Sequence, residues 1–114
     1  MSLSISDEFE GPAIVVRLSG QLDTLTAKPF ESHLAERISQ GQKRIIVDLA
    51  AVNYVSSYGL RVFLLTAKQL RSDRRAFTLC RLTPEVKKIF RISGFDKILV
   101  IRETLEDAIA LASE

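Results

Sequence analysis

The 114-residue chain predicts an α/β fold: one mixed, mostly parallel five-stranded sheet with four main helices, in the order ββαβαβαβα. Three observations predict it. The run Ile45-Ile46-Val47-Asp48-Leu49 is short, β-branched and nearly continuous in apolar residues, as a strand buried on both faces must be. Strand-like runs alternate with segments whose apolar residues recur at helical spacing, which implies parallel pairing through right-handed crossovers. The first two strand-like runs are separated only by a short loop at Gly11-Pro12, which suits one antiparallel edge pair.

Taken in order, Leu3, Ile5 and Phe9 alternate weakly with Ser4, Ser6 and Glu8, as in an edge strand. Ala13-Ile14-Val15-Val16-Arg17-Leu18 is the second strand, and Gly20-Gln21-Leu22-Asp23 follows at its end. A helix starts near Thr26, because Ala27, Phe30, Leu34, Ala35 and Ile38 fall on one helical face. Pro29 fits only in its first turn, where no N–H is needed, and Gly41 supplies a stop. The central strand runs from Arg44 to Leu49. The helix after Ser57 is apolar round most of its circumference, with Leu60, Val62, Phe63, Leu64, Leu65, Ala67 and Leu70. Asp73-Arg74-Arg75 turns the chain into a fourth strand, Ala76 to Cys80.

Thr83-Pro84-Glu85 opens the third helix with a cap, a proline and an acid. Val86, Ile89 and Phe90 form its stripe and Ser93-Gly94 ends it. Ile98 to Ile101 is a short fifth strand. Thr104-Leu105-Glu106-Asp107 resembles a capping box, and Leu105, Ala108, Ile109, Leu111 and Ala112 supply the face of a last helix. There is no repeat, low-complexity segment or linker, so residues 1–114 read as one domain.

Composition narrows the function. A net charge of +2 with no long basic block gives no reason to expect nucleic acid. The nearest patch, Lys68, Arg71, Arg74 and Arg75, reads as a solvated helix end with cations near the C-terminal dipole. Cys80 is the single cysteine; it forms no internal disulfide or metal site and reads as a buried, inert thiol. The N-terminal segment lacks a signal-peptide pattern, and no apolar run reaches membrane-spanning length, so a cytoplasmic protein without membrane insertion is expected. No phosphate loop, metal-ligand cluster or dinucleotide fingerprint is present, so no cofactor is expected. His33 is the only histidine, far in sequence from the serines and without a nucleophile elbow, which argues against a serine hydrolase.

The stretch most suggestive of function is Val52-Asn53-Tyr54-Val55-Ser56-Ser57-Tyr58-Gly59-Leu60, between the central strand and the most apolar helix. A serine at a helix start has two uses. It caps an unpaired backbone N–H, or it offers a hydroxyl where the helix dipole tolerates a phosphate.

The segment from Asp48 to Val62 resembles the phosphorylation-site segment of bacterial anti-sigma-factor antagonists, members of the STAS domain family. Gly20-Gln21-Leu22-Asp23 with Thr26-Ala27 is similar to the family's Gly-x-Leu-Asp followed by Thr-Ala. The segment from Val86 to Ile98 is similar to its third helix and Ser/Thr-Gly-Leu/Phe-Asp turn. Aligned on Gly59-Leu60, the resemblance places the phosphoacceptor at Ser57 and the family's Asp-or-Ser position at Ser56. Tyr58 stands where a small residue is usual, a departure that bears on partner fit. Asp23, Ser56, Ser57, Tyr58, Gly59 and Arg61 are then the expected partner-facing residues. Asp23 reads equally as a helix-start acid, and Gly59 as a site of either close partner approach or tight packing. Tyr54, in an apolar run, is expected in the core.

The resemblance implies a non-catalytic switch, not an enzyme. Unphosphorylated, it would bind an anti-sigma factor that is also a serine kinase; phosphorylation of Ser57 would release it, and a serine phosphatase would restore binding. The alternative is a STAS-domain subunit of a lipid or anion transport system.

Overall fold

A computed structural model describes residues 2–112, apart from the side chain of Ala112, whose expected place on the last helix's apolar face therefore lies outside the described residues. The strands are β1 (Leu3–Glu10), β2 (Ala13–Leu22), β3 (Arg44–Val55), β4 (Ala76–Cys80) and β5 (Val100–Arg102); the helices are α1 (Ala27–Ser39), α2 (Ser57–Ser72), α3 (Pro84–Ser93) and α4 (Leu105–Ala112). The order is the expected ββαβαβαβα. The five strands lie in the sheet in chain order, with β1 antiparallel to β2 and every later pairing parallel.

That order has a direct packing consequence. Each crossover from β2 to β5 moves one strand in the same direction, so right-handed connections put α1, α2 and α3 on one face of the sheet. There Ile14, Val16 and Leu18 of β2, Ile45, Val47 and Leu49 of β3, and Phe77 and Leu79 of β4 meet the stripes of the helices. Phe63 of α2 lies at the centre, with Phe30 of α1 at 5.4 Å and Phe90 of α3 at 5.7 Å between ring centroids. The other face has a smaller core, where Ala13, Val15, Ile46 and Cys80 pack with Ala108 of α4. Asp48 points to this second face and is 2% exposed. Its carboxylate is held by Arg81 through Nε and Nη2, by Arg17 through Nη1, and by the Ala50 N–H. A charge inside a buried strand is thus paired and hydrogen-bonded, as burial requires.

Two strand ends lie beyond their expected limits. Between Arg17↔Asp48 and Ser19↔Ala51, and again between Gly20↔Val52 and Gln21↔Tyr54, β3 advances one residue more than β2. Each bulge breaks the two-residue alternation by which a strand is recognised. β3 therefore continues from Leu49 to Val55; β2, which carries no extra residue, runs on from Leu18 through Ser19-Gly20-Gln21 to Leu22. The second bulge also overturns the expected burial of Tyr54, which is 46% exposed. The fifth strand is shorter and later than Ile98–Ile101: residues Phe95–Lys97 form a 3-10 turn, and the Leu99 N–H bonds back to the Phe95 carbonyl. The third-helix signals hold, with Thr83 Oγ1 accepting from the Val86 N–H and Gly94 closing the helix at φ 80°.

Candidate functional site

The site lies at the carboxyl ends of the parallel strands, where loops emerge side by side. Leu22 pairs with Val55, and the Ser56 N–H donates to the Leu22 carbonyl at 2.8 Å, so the β2–α1 and β3–α2 loops are joined at their roots. Asp23 and Ser57 are thereby brought to one end of the sheet.

The two adjacent serines have different places. Ser56 is the N-cap of α2: its backbone is extended, and its Oγ accepts from the Gly59 N–H at 3.3 Å. It is 7% exposed. Ser57 is the first helical residue and is exposed. Its hydroxyl has no hydrogen-bond partner among the described residues. The cap role open to Ser57 on sequence grounds thus belongs to Ser56. No acidic side chain lies in the first turn of α2, so no residue of that turn offsets its N-terminal partial charge. Arg61, one turn along the helix, is also exposed.

Gly59 is buried. A Cβ there would lie 2.8 Å from Leu22 Cγ and 3.0 Å from Val55 Cγ1. Its missing side chain seats the first turn of α2 on β2 and β3, which is the packing alternative and leaves it no open approach for a partner's backbone. Asp23 organises its own loop. Oδ1 accepts from the Leu25 and Thr26 N–H groups, both at 3.0 Å, while Thr26 Oγ1 accepts from the Asp23 N–H at 2.8 Å. The Thr26 N–H, first among these bonds, holds the Asp23 carboxyl below its ordinary pKa. Asp23 therefore braces the loop leading into α1, whose own first turn carries no acid.

Three large side chains surround these loops without burial: Leu25 at 79% exposure, Tyr54 at 46% and Tyr58 at 57%. Tyr58 also lines a groove of about 410 Å³ between α1 and α2, with Lys28, Glu31, Arg61 and Leu65. Sequence reasoning missed Leu25 and Tyr54. The signal for Leu25 was an apolar residue in a loop, outside the stripe of α1; Tyr54 was concealed by the bulge.

The remaining candidates lie elsewhere. His33 Nε2 is 2.8 Å from Asp7 Oδ1, and Arg37 Nε donates to Asp7 Oδ2 at 2.7 Å, so His33 ties α1 to the edge strand β1. Cys80 is buried, and desolvation pushes its thiol pKa up to about 12, with the Asp48 carboxylate adding to the effect. Among the described residues no group of His, Cys, Asp and Glu side chains is arranged to hold a metal, and no helix is long and apolar enough to cross a membrane.

Residues 4–108 match the STAS domain family, so the chain belongs to it. Among its relatives is BtrV, a candidate anti-sigma factor antagonist of Bordetella bronchiseptica, 38% identical over 104 residues that span 91% of this chain and 89% of BtrV. A crystal structure of an anti-sigma factor antagonist from Mycobacterium paratuberculosis superposes with a TM-score of 0.91 at 25% identity, covering 99% of this chain and 96% of that one. The anti-sigma factor antagonist SpoIIAA of Bacillus has the same fold in two states, at 24% identity. Its unphosphorylated form covers 96% of both chains with a TM-score of 0.81. Its phosphorylated form covers 94% of this chain and 97% of that one with a TM-score of 0.71.

Proposed function

We propose that this protein is an anti-sigma-factor antagonist acting in the cytoplasm as a phosphorylation-controlled binding switch. Unphosphorylated, it binds an anti-sigma factor that is a serine kinase. That kinase phosphorylates Ser57 and the complex separates, and a serine phosphatase returns the protein to its binding state. The observation that carries the reading is the division of labour between two serines. Ser56 holds the cap from a buried position, while Ser57 presents an exposed, unpaired hydroxyl at the helix mouth. The family relationship to anti-sigma factor antagonists supports it.

The chemistry asked of this chain is modest. Phosphorylation adds about −1.5 to −2 charge at pH 7. The N-terminus of α2 offsets part of it, by about 0.3–1 kcal/mol per favourable interaction, and the cap bond of Ser56 is untouched. The domain stays folded and the new charge acts on whatever docks over Ser57. Tyr58, Tyr54 and Leu25 supply an apolar and aromatic rim suited to a protein partner. Asp23 and Arg61 complete the surface, and the kinase brings the ATP and magnesium. Incubation with the partner kinase and ATP, followed by phosphopeptide mapping, tests the site: one phosphate on Ser57 is expected, and a phosphate on Ser56 or on no serine of this loop overturns the assignment.

A further inference from the structure

At the opposite end of α2 from Ser57 the chain forms a second cleft. The 16 residues of the helix, at about 1.5 Å each, separate the two ends by roughly 24 Å. The cleft has a volume of about 320 Å³ and is lined by, among others, Arg71, Arg74, Phe77, Ile98, Val100 and Leu111.

Its lining joins two chemistries. Ile98 and Val100 are large apolar side chains left exposed there. Three arginines lie beside them. Arg75 is committed to the fold, with Nη1 donating to the carbonyls of Ile38 and Gln42. Arg71 gives one hydrogen bond, Nη2 to the Ile98 carbonyl at 3.3 Å, which holds its guanidinium beside Ile98. Arg71 makes no ion pair among the described residues, and Arg74 makes neither an ion pair nor a side-chain hydrogen bond among them. Asp73 is the carboxylate at this turn, and it lies 3.9 Å from Arg75.

We propose that this cleft binds an amphiphilic anion. Arg71 and Arg74 take a carboxylate or phosphate head group, which guanidinium forks match with paired N–H donors. A short apolar chain covers Ile98, Val100 and Leu111. Each methylene buried raises affinity roughly fourfold, so affinity depends on both the head and the chain.

The test is a titration of the full ¹⁵N-labelled chain, followed by amide shifts, with octyl phosphate and octanoate below their micelle thresholds and with butyl phosphate, inorganic phosphate and octanol as controls. Octyl phosphate or octanoate is expected to shift the amides of residues 71–78 and 98–101 while leaving those of 56–59 in place. The octyl compounds should bind at least tenfold more tightly than butyl phosphate or inorganic phosphate. Arg74→Gly removes the guanidinium and suits the left-handed backbone at φ 58°; it should weaken binding at least fivefold. Val100→Glu, at an exposed position, should abolish it. Thermal melts of both variants should stay near wild type, and Arg71→Gln replaces either one that does not. Sedimentation with phosphatidylglycerol vesicles assigns the source: co-sedimentation lost in the same variants means a lipid head group, and binding of octyl phosphate without co-sedimentation means a free ligand. Octanol binding as tightly as octyl phosphate, inorganic phosphate matching the octyl compounds, shifts confined to other surfaces, or no binding would each overturn the proposal.

Discussion

Replacing Ser56 and Ser57 separately by alanine tests the assignment of cap and acceptor. Ser56 Oγ accepts from the Gly59 N–H at 3.3 Å in a buried setting. Loss of an N-cap costs about 0.5–2 kcal/mol, and the length of this bond favours the middle of that range, about 1 kcal/mol. The Ser57 hydroxyl makes no hydrogen bond among the described residues and faces solvent, so its replacement should stay within about 0.5 kcal/mol of wild type. At about 2.1 cal/mol/K per residue, a chain of 114 residues has an unfolding entropy near 0.24 kcal/mol/K, so 1 kcal/mol corresponds to a Tm shift of about 4 °C. Urea titrations and thermal melts of both variants measure this. Ser56→Ala should lower Tm by about 4 °C with an unchanged m-value, and Ser57→Ala by less than about 2 °C. A larger loss for Ser57→Ala would overturn this division of roles, because the exposed serine would then be the structural one.

Gly59→Ala forces a Cβ to within 3.0 Å of Leu22 and Val55 side-chain atoms. Overpacking of about 1–3 kcal/mol outweighs a helix-propensity gain of about 0.8–1 kcal/mol, so a net destabilisation of about 1 kcal/mol in urea is expected; a more stable variant would show that the seat can relax. Asp23 has a depressed folded-state pKa, so its contribution to stability is present above the unfolded pKa near 3.8 and is lost as pH falls through the lower folded value. The stability difference between wild type and Asp23→Asn should accordingly be larger at about pH 7 than at about pH 2.5, and a difference independent of pH would contradict the role given to its loop hydrogen bonds. With its thiol pKa raised to about 12, Cys80 should resist iodoacetamide at about pH 8 in the folded protein and react in urea; rapid labelling of the native state would place it nearer the surface.

How much of this was legible in the sequence depended on whether the signals were local. Thr83, Pro84 and Gly94 declare their helix through capping chemistry that needs no tertiary context, and α3 spans Pro84–Ser93 as read. The five apolar residues of α1 mark its buried face, although Ala35 proves exposed at the margin of that stripe. β3 beyond Leu49 was not legible, because its bulges are defined by pairing with β2 and leave no alternation within β3 itself. Tyr54 was misplaced for the same reason. The acid in the buried run, Asp48, was visible, but its partners were not, since Arg17 and Arg81 are more than thirty residues away in either direction. At the site, the sequence identified the serine pair and the glycine. The resemblance placed the acceptor at Ser57, but a capping role for Ser57 stayed open, because that depends on which of two adjacent serines has extended backbone. The sequence could not decide the use of Gly59 either, since only the position of Leu22 shows what a Cβ would meet.

The proposed switch requires that charge on Ser57 separate the protein from its kinase partner. Calorimetric titration of the unphosphorylated protein and its Ser57-phosphorylated form against the purified partner kinase, with Ser57→Ala and Ser57→Asp alongside, tests it most directly. An unpaired anion at a docked interface costs several kcal/mol, and about 2.7 kcal/mol is a hundredfold in affinity. The phosphorylated form should therefore bind at least about a hundredfold more weakly. Ser57→Asp should bind less weakly than that but in the same direction, since it carries less charge and fewer acceptor oxygens. Ser57→Ala should bind like the unphosphorylated protein. Equal affinity for the phosphorylated and unphosphorylated forms would contradict the proposed switch, and loss of binding in Ser57→Ala would show that the partner reads the hydroxyl itself.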